Sequence, residues 1–169
     1  MLSIRPKWCE KIASGEKTIE VRKTRPKLET PFKCYIYETQ GWVEKDGIME
    51  FRLGGRIIGE FICDRIYELA PLNHAPDDVE QQACMTREEI VRYLKGVGYG
   101  WHISDLKIYD TPKQLSEFWL PPELYCEKER CGGCPYDQVA DVNGEYSFDC
   151  EWKRPLTRPP QSWRYVEEG

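Results

Sequence analysis

Lys17, Glu20 and Arg22 fall within six residues of one another, in the run Gly15-Glu16-Lys17-Thr18-Ile19-Glu20-Val21-Arg22. A lysine can take up a proton in a reaction only if burial or a nearby cation lowers its pKa from ~10.4 toward neutrality. Arg22 pushes Lys17 that way, and Glu20 pushes back by stabilising the ammonium. A Lys17–Glu20 ion pair therefore favours ligand binding over base catalysis. Glu20 could also activate water as a general base, with Lys17 stabilising a developing oxyanion. The Arg22 fork suits a phosphate or carbonyl, which lysine cannot grip in the same two-pronged way. Loss of Glu20 or Arg22 to alanine is expected to weaken binding by ~1–3 kcal/mol with the fold intact. The same three residues also fit a charged strand face in water, and composition alone leaves that alternative open.

These side chains need a helix stop followed by a strand. Gly15 supplies the stop, because glycine takes the left-handed conformation of a C-terminal cap. Beyond it Ile19 and Val21 alternate with Thr18, Glu20 and Arg22, which predicts a half-buried strand. Residues two apart share a face, so Glu20 and Arg22 point together into one cleft, with Lys17 at its mouth. Trp8 and Ile12 lie at helical spacing after Pro6 and predict a short helix ahead of the strand. A flat aromatic ring suits a base-binding cleft, and Trp8 and Trp163 are the candidates. Trp163 qualifies if the last strand, Ser162 to Val166, lies beside the Thr18–Arg22 strand.

A second constellation is Cys126, Cys131, Cys134 and Cys150, four of the eight cysteines, within 25 residues that lack helix or strand periodicity. Cys131-Gly132-Gly133-Cys134 is a tight knuckle whose glycines let both sulfurs face one point. Four thiolates suit one tetrahedral structural zinc, with free thiols and disulfides as alternatives. A segment from 121 to 153 without a core of its own needs such a staple. It is read as an insertion before the last strand of a single domain spanning residues 1–169. Cys9, Cys34, Cys63 and Cys84 sit in apolar or helical surroundings and read as small buried side chains.

Elsewhere, Leu2 and Ile4 open a first strand. Residues 34–38 and 56–63 are rich in aromatic and β-branched residues and predict strands. Gly54-Gly55 predicts a hairpin joining Met49–Arg52 to the second of these. Residues 70–82 read as loop. Thr86-Arg87-Glu88-Glu89 is a capping box for a helix buried through Ile90, Val91 and Leu94 and stopped at Gly96. Trp101 to Tyr109 predicts a strand, and Thr111-Pro112 a short helix facing Leu115 and Phe118 inward. The sum is an α+β domain on a small mixed β-barrel with short flanking helices.

The bulk numbers bound the partners. The net charge of −5 argues against a non-specific nucleic-acid binder. Residues 1–33 nevertheless carry nine Lys or Arg against four Asp or Glu. A basic opening on an acidic body fits a confined anionic-ligand site better than a long phosphate-tracking groove. No apolar run approaches the ~20 residues of a membrane helix, and Met1 to Pro6 lacks a signal-peptide core. A cytoplasmic protein without a membrane partner is expected. Its oligomeric state is not legible.

The opening Ser3-Ile4-Arg5-Pro6-Lys7-Trp8, the segment Ile12-Ala13-Ser14-Gly15 and the strand Lys17 to Arg22 together resemble the start of the ASCH domain, whose hallmark is Gly-x-Lys-x-x-Glu-x-Arg. The resemblance continues more faintly through Ile57 to Phe61 and Trp101 to Leu106. It covers most of residues 1–120 and the final strand. It implies a PUA-like fold and an RNA, nucleotide or nucleoside ligand. Some members are enzymes: one branch of small bacterial proteins looks like an amidohydrolase that deacetylates N(4)-acetylcytidine, and others are reported nucleases. The amidohydrolase lysine falls on Lys17 here. Its threonine falls on Glu20, and its distal acid would be sought at Ala83-Cys84, with Glu80 the nearest carboxylate upstream. The chain departs from the deacetylase pattern at both positions.

Overall fold

The structure, a computed structural model, describes residues 1–69, 75–120 and 155–168. Residues 1–114 and 159–164 form one compact unit, and residues 115–158 and 165–169 a second. Cys126, Cys131, Cys134 and Cys150 lie outside the described residues, as does the whole of the expected insertion, 121–153.

In the first unit a four-stranded sheet takes the order β1-β3-β6-β9, from Leu2–Ile4, Phe32–Glu38, Arg56–Cys63 and Ser104–Lys113. β1 runs parallel to β3 and the other pairs are antiparallel. A three-stranded antiparallel sheet takes the order β2-β8-β7, from Ile19–Arg22, Tyr99–His102 and Ile66–Glu68. β4 (Gly41–Lys45) and β5 (Ile48–Arg52) pair only with each other among the described residues.

Among the described residues three α-helices accompany the strands. α1 (Pro6–Ala13) begins on its proline, whose fixed φ is already helical, and buries Pro6, Cys9 and Ile12. Gly15 follows at φ +78° and breaks it, as the sequence requires. α2 (Val79–Ala83) is short. α3 (Arg87–Leu94) carries the full capping box: Glu89 N donates to Thr86 Oγ1 at 3.2 Å and Thr86 N to Glu89 Oε2 at 2.9 Å. No helix among the described residues is long and apolar enough to cross a membrane.

Two cores flank the smaller sheet. Leu2, Ile4, Cys9, Ile12, Ile36, Phe61 and Trp101 belong to one, under α1. Ile19 and Val21 face the other, with Leu69, Val79, Ala83, Ile90 and Leu94. Both faces of β2 are therefore covered, and all four of its residues are buried. A two-residue alternation normally marks one wet face. Here α1 and the first core close over the polar face as well.

Several expected elements differ. Among the described residues no closed barrel is found; the strands form separate open sheets. The chain leaves the large sheet at Asp64-Arg65 and re-enters it at Ile103. There Ile103 N bonds to Thr18 O at 2.8 Å, one more step of the β2–β8 register, and Asp105 takes φ +45°. β5 pairs with β4, not with β6, because Asp46 and Gly47 at φ +52° and +78° make a tighter hairpin turn. Gly54 and Gly55 instead close the neck of that excursion. Gly55 N bonds to Glu38 O at 2.8 Å, and a Cβ on Gly54 would lie 2.3 Å from Thr39 O. Residues 70–82 were expected as loop but contribute most of α2. The expected helix after Thr111-Pro112 is divided: residues 111–113 end β9, where Pro112 sits on an edge strand and no amide is needed, and only Leu115–Glu117 turn, as a 3-10 helix. The expected strand at 162–166 is reduced to a bridge between Trp163 and Leu2, which places Trp163 beside β1, not beside β2.

In the second unit Leu115–Glu117 form one 3-10 turn, and β10 (Phe118–Trp119) pairs antiparallel with β11 (Glu167–Glu168).

Candidate functional site

The backbone around Lys17 is tied at three points. Lys17 N bonds to Lys11 O at 2.9 Å, holding the helix end against the strand start. Thr18 N bonds to Gln82 O at 2.9 Å, and Thr18 O receives Ile103 N at 2.8 Å. These bonds aim the Lys17 side chain inward, and the residue is 2% exposed.

Its ammonium meets three partners. It donates to Ala83 O at 2.6 Å, lies 3.5 Å from Glu20 Oε2 and stands 4.9 Å from the centre of the Trp8 ring. Ala83 closes α2, so its carbonyl lies at the helix end where a cation is favoured. Burial, the largest influence, lowers the Lys17 pKa; Glu20 opposes it and Arg22 adds to it. That direction is the one proton abstraction needs, though burial rather than Arg22 leads.

Glu20 joins the two cations. Its Oε1 lies 2.9 Å from Arg22 Nη2, which also donates to Ser3 O at 2.8 Å. Glu20 and Arg22 are 5% and 6% exposed, so the charges are held in low dielectric where an unpaired member is costly. Arg22 Nε is buried with no hydrogen-bond partner among the described residues. Cys9, on the buried face of α1, has its thiol pKa pushed up by burial and then by Glu38 and Glu20. Glu38, itself buried, lies 3.8 Å from Arg56 Nε.

The structure thus brings together Lys17, Glu20, Arg22 and Trp8. Trp8 is half-buried, with Lys7 Nζ 4.8 Å from its ring centre. Trp163 stands one ring away. Its Nε1 donates to Thr24 Oγ1 at 2.8 Å, and it packs at 6.0 Å on Trp101, the residue opposite Glu20. Glu80 is engaged elsewhere: its Oε1 receives Arg87 N at 2.6 Å, and its Oε2 lies 3.7 Å from Arg87 Nε.

Sequence reading missed Ala83 O, Ser3 O and Trp101. Backbone carbonyls leave no mark in residue types, and Trp101 sits in a strand whose register only the pairing reveals. Among the described residues no group of three His, Cys, Asp or Glu could hold a metal ion.

The family model described as the ASCH domain matches residues 2–110. Crystal structures of an ASCH protein from Zymomonas mobilis share the fold. The unsubstituted protein superposes with a TM-score of 0.51 at 19% identity, covering 68% of this chain and 71% of that one. A Ser-to-Ala variant gives 0.52 at 19% identity, covering 68% and 72%. No curated protein matches the chain.

Proposed function

The chain belongs to the ASCH domain family, and from that premise we propose that the Lys17–Glu20–Arg22 cluster binds RNA or a nucleotide or nucleoside. The observation that carries the reading is a buried cluster of two cations and one anion beside the half-buried Trp8 ring. Excess positive charge attracts a phosphate-bearing ligand, and an indole face offers stacking to a base. Binding is favoured over hydrolysis because Ala83 O occupies the ammonium of Lys17 where the deacetylase resemblance would seek an acid. Glu80, the nearest upstream carboxylate, is committed to α3.

A second reading, hydrolysis of a modified nucleoside such as N(4)-acetylcytidine or of RNA, has one observation in its favour: burial lowers the Lys17 pKa. Lys17 would then take a proton, and Glu20 would activate water. Equilibrium titration with cytidine, N(4)-acetylcytidine and a short single-stranded RNA, alongside product analysis of the same mixtures, separates the readings. The binding reading expects saturable association with no new product. Turnover lost in Lys17→Met would establish the second reading, and neither association nor turnover would remove both.

We also propose that Cys126, Cys131, Cys134 and Cys150, which lie outside the described residues, hold one structural zinc. The support is the chemistry of the donor set, four thiols with a glycine-rich knuckle, which suits tetrahedral coordination.

A further inference from the structure

We infer that the ligand of this cluster presents an oxyanion, and that Arg22 Nε–H and Trp101 Nε1–H together receive one of its oxygens. The inference rests on the nucleotide reading above and adds Trp101 to the binding residues.

Two buried side-chain nitrogens, Arg22 Nε and Trp101 Nε1, have no hydrogen-bond partner among the described residues. Buried donors are nearly always paired, because an unmet one costs ~1–3 kcal/mol. Here both orphans belong to one sheet face. Trp101 lies directly opposite Glu20 in the antiparallel β2–β8 pair, and Arg22 is paired with Tyr99. Arg22 and Trp101 are therefore diagonal neighbours on the face that carries Glu20, within reach for long and aromatic side chains. The face is the one covered by the first core, where Trp101 is 2% exposed.

The charge count selects the acceptor. Lys17 and Arg22 against Glu20 leave one net positive charge in the cluster, and Glu38 is balanced by Arg56. An anionic oxygen cancels that excess while meeting both donors; a neutral carbonyl meets the donors and leaves the charge. Indole N–H is a donor only, so Trp101 accepts nothing in exchange. Both nitrogens are enclosed, so the incoming oxygen displaces a neighbour. Trp163, half-buried and tilted 54° on the Trp101 ring, is the neighbour packed there.

The test compares wild type, Trp101→Phe and Arg22→Lys, titrated with cytidine, cytidine 5′-monophosphate and inorganic phosphate, while the indole ¹H–¹⁵N signal of Trp101 is followed in wild type. Wild type should bind the monophosphate about tenfold more tightly than cytidine, as one charged hydrogen-bonded contact allows. Its Trp101 indole proton should move downfield with the monophosphate and stay put with cytidine. Trp101→Phe should lose about fivefold toward the monophosphate alone, with the thermal midpoint of the free protein unchanged or raised. Arg22→Lys should lose the preference as well. A shift with inorganic phosphate alone assigns the seat to any oxyanion; a shift needing the nucleotide assigns it to a phosphate carried by one. Monophosphate binding that leaves the indole signal unmoved overturns the inference even if Trp101→Phe fails to fold. So does a lower midpoint in Trp101→Phe with unchanged affinity, the sign of a structural water. In both cases the nucleotide reading stands. Absence of binding by wild type to every probe and to RNA removes that reading too.

Discussion

At the scale of single residues, burial changes what Lys17, Glu20 and Arg22 do. The sequence places Glu20 and Arg22 on one strand face with Lys17 at its mouth, and the structure covers that face. Lys17 has its pKa lowered from 10.5 mainly by burial. An amine depressed in the folded state holds fewer protons folded than unfolded between its two pKa values. Stability therefore rises with pH through that window and levels off near 10.5. Denaturation of wild type and Lys17→Met across alkaline pH should show the difference moving in favour of wild type as pH approaches the unfolded value; a flat difference would contradict the depressed pKa. Glu20 carries a different expectation. Its removal strands two buried cations, so Glu20→Ala should cost about 3–5 kcal/mol of stability, in addition to the binding loss expected from sequence alone. Urea unfolding measures this, and a cost under ~1 kcal/mol would mean that solvent reaches the pair. The residue types were legible at this scale because charge and spacing are written in the chain. Their burial was not, because it depends on α1 and the first core closing over β2.

At the scale of elements, local signals were legible wherever one segment settles the outcome. Pro6 starts α1, Gly15 ends it and the capping box starts α3. Thr86→Ala removes the side-chain acceptor for Glu89 N and should lower stability by about 1 kcal/mol without altering ligand affinity, since α3 contributes no side chain to the cluster. A thermal melt and a titration together check both halves. Pairing between segments was less legible. Gly54-Gly55 looks like a hairpin turn, but Asp46-Gly47 closes a shorter loop and takes β5 to β4. Closing the shorter loop costs less entropy. α2 was missed because five residues give too little periodicity to detect, yet its end supplies the carbonyl that holds Lys17. The barrel was expected from the interspersed strands and helices and matched the resemblance; among the described residues the chain instead passes to the smaller sheet between β6 and β7 and back between β8 and β9, and the sheets stay separate.

At the scale of the whole molecule, an acidic chain carries a basic opening of 33 residues. Long basic grooves give binding that collapses with salt, whereas a compact seat with one or two phosphate contacts loses far less. The cysteine segment belongs to this scale as well. Protein purified without chelator should contain about one zinc per chain, the stoichiometry of a single four-thiolate site, and Cys131→Ser should lose it. Metal content near zero in reduced protein would leave the free-thiol alternative. The most direct test of the central claim is side-chain ¹H–¹⁵N spectroscopy of Lys17 and Arg22 during titration with a short single-stranded RNA. The account predicts that the Lys17 ammonium and Arg22 guanidinium signals shift in a saturable way, in step with binding measured independently. RNA that binds while both signals stay unmoved would place its site elsewhere and contradict the account.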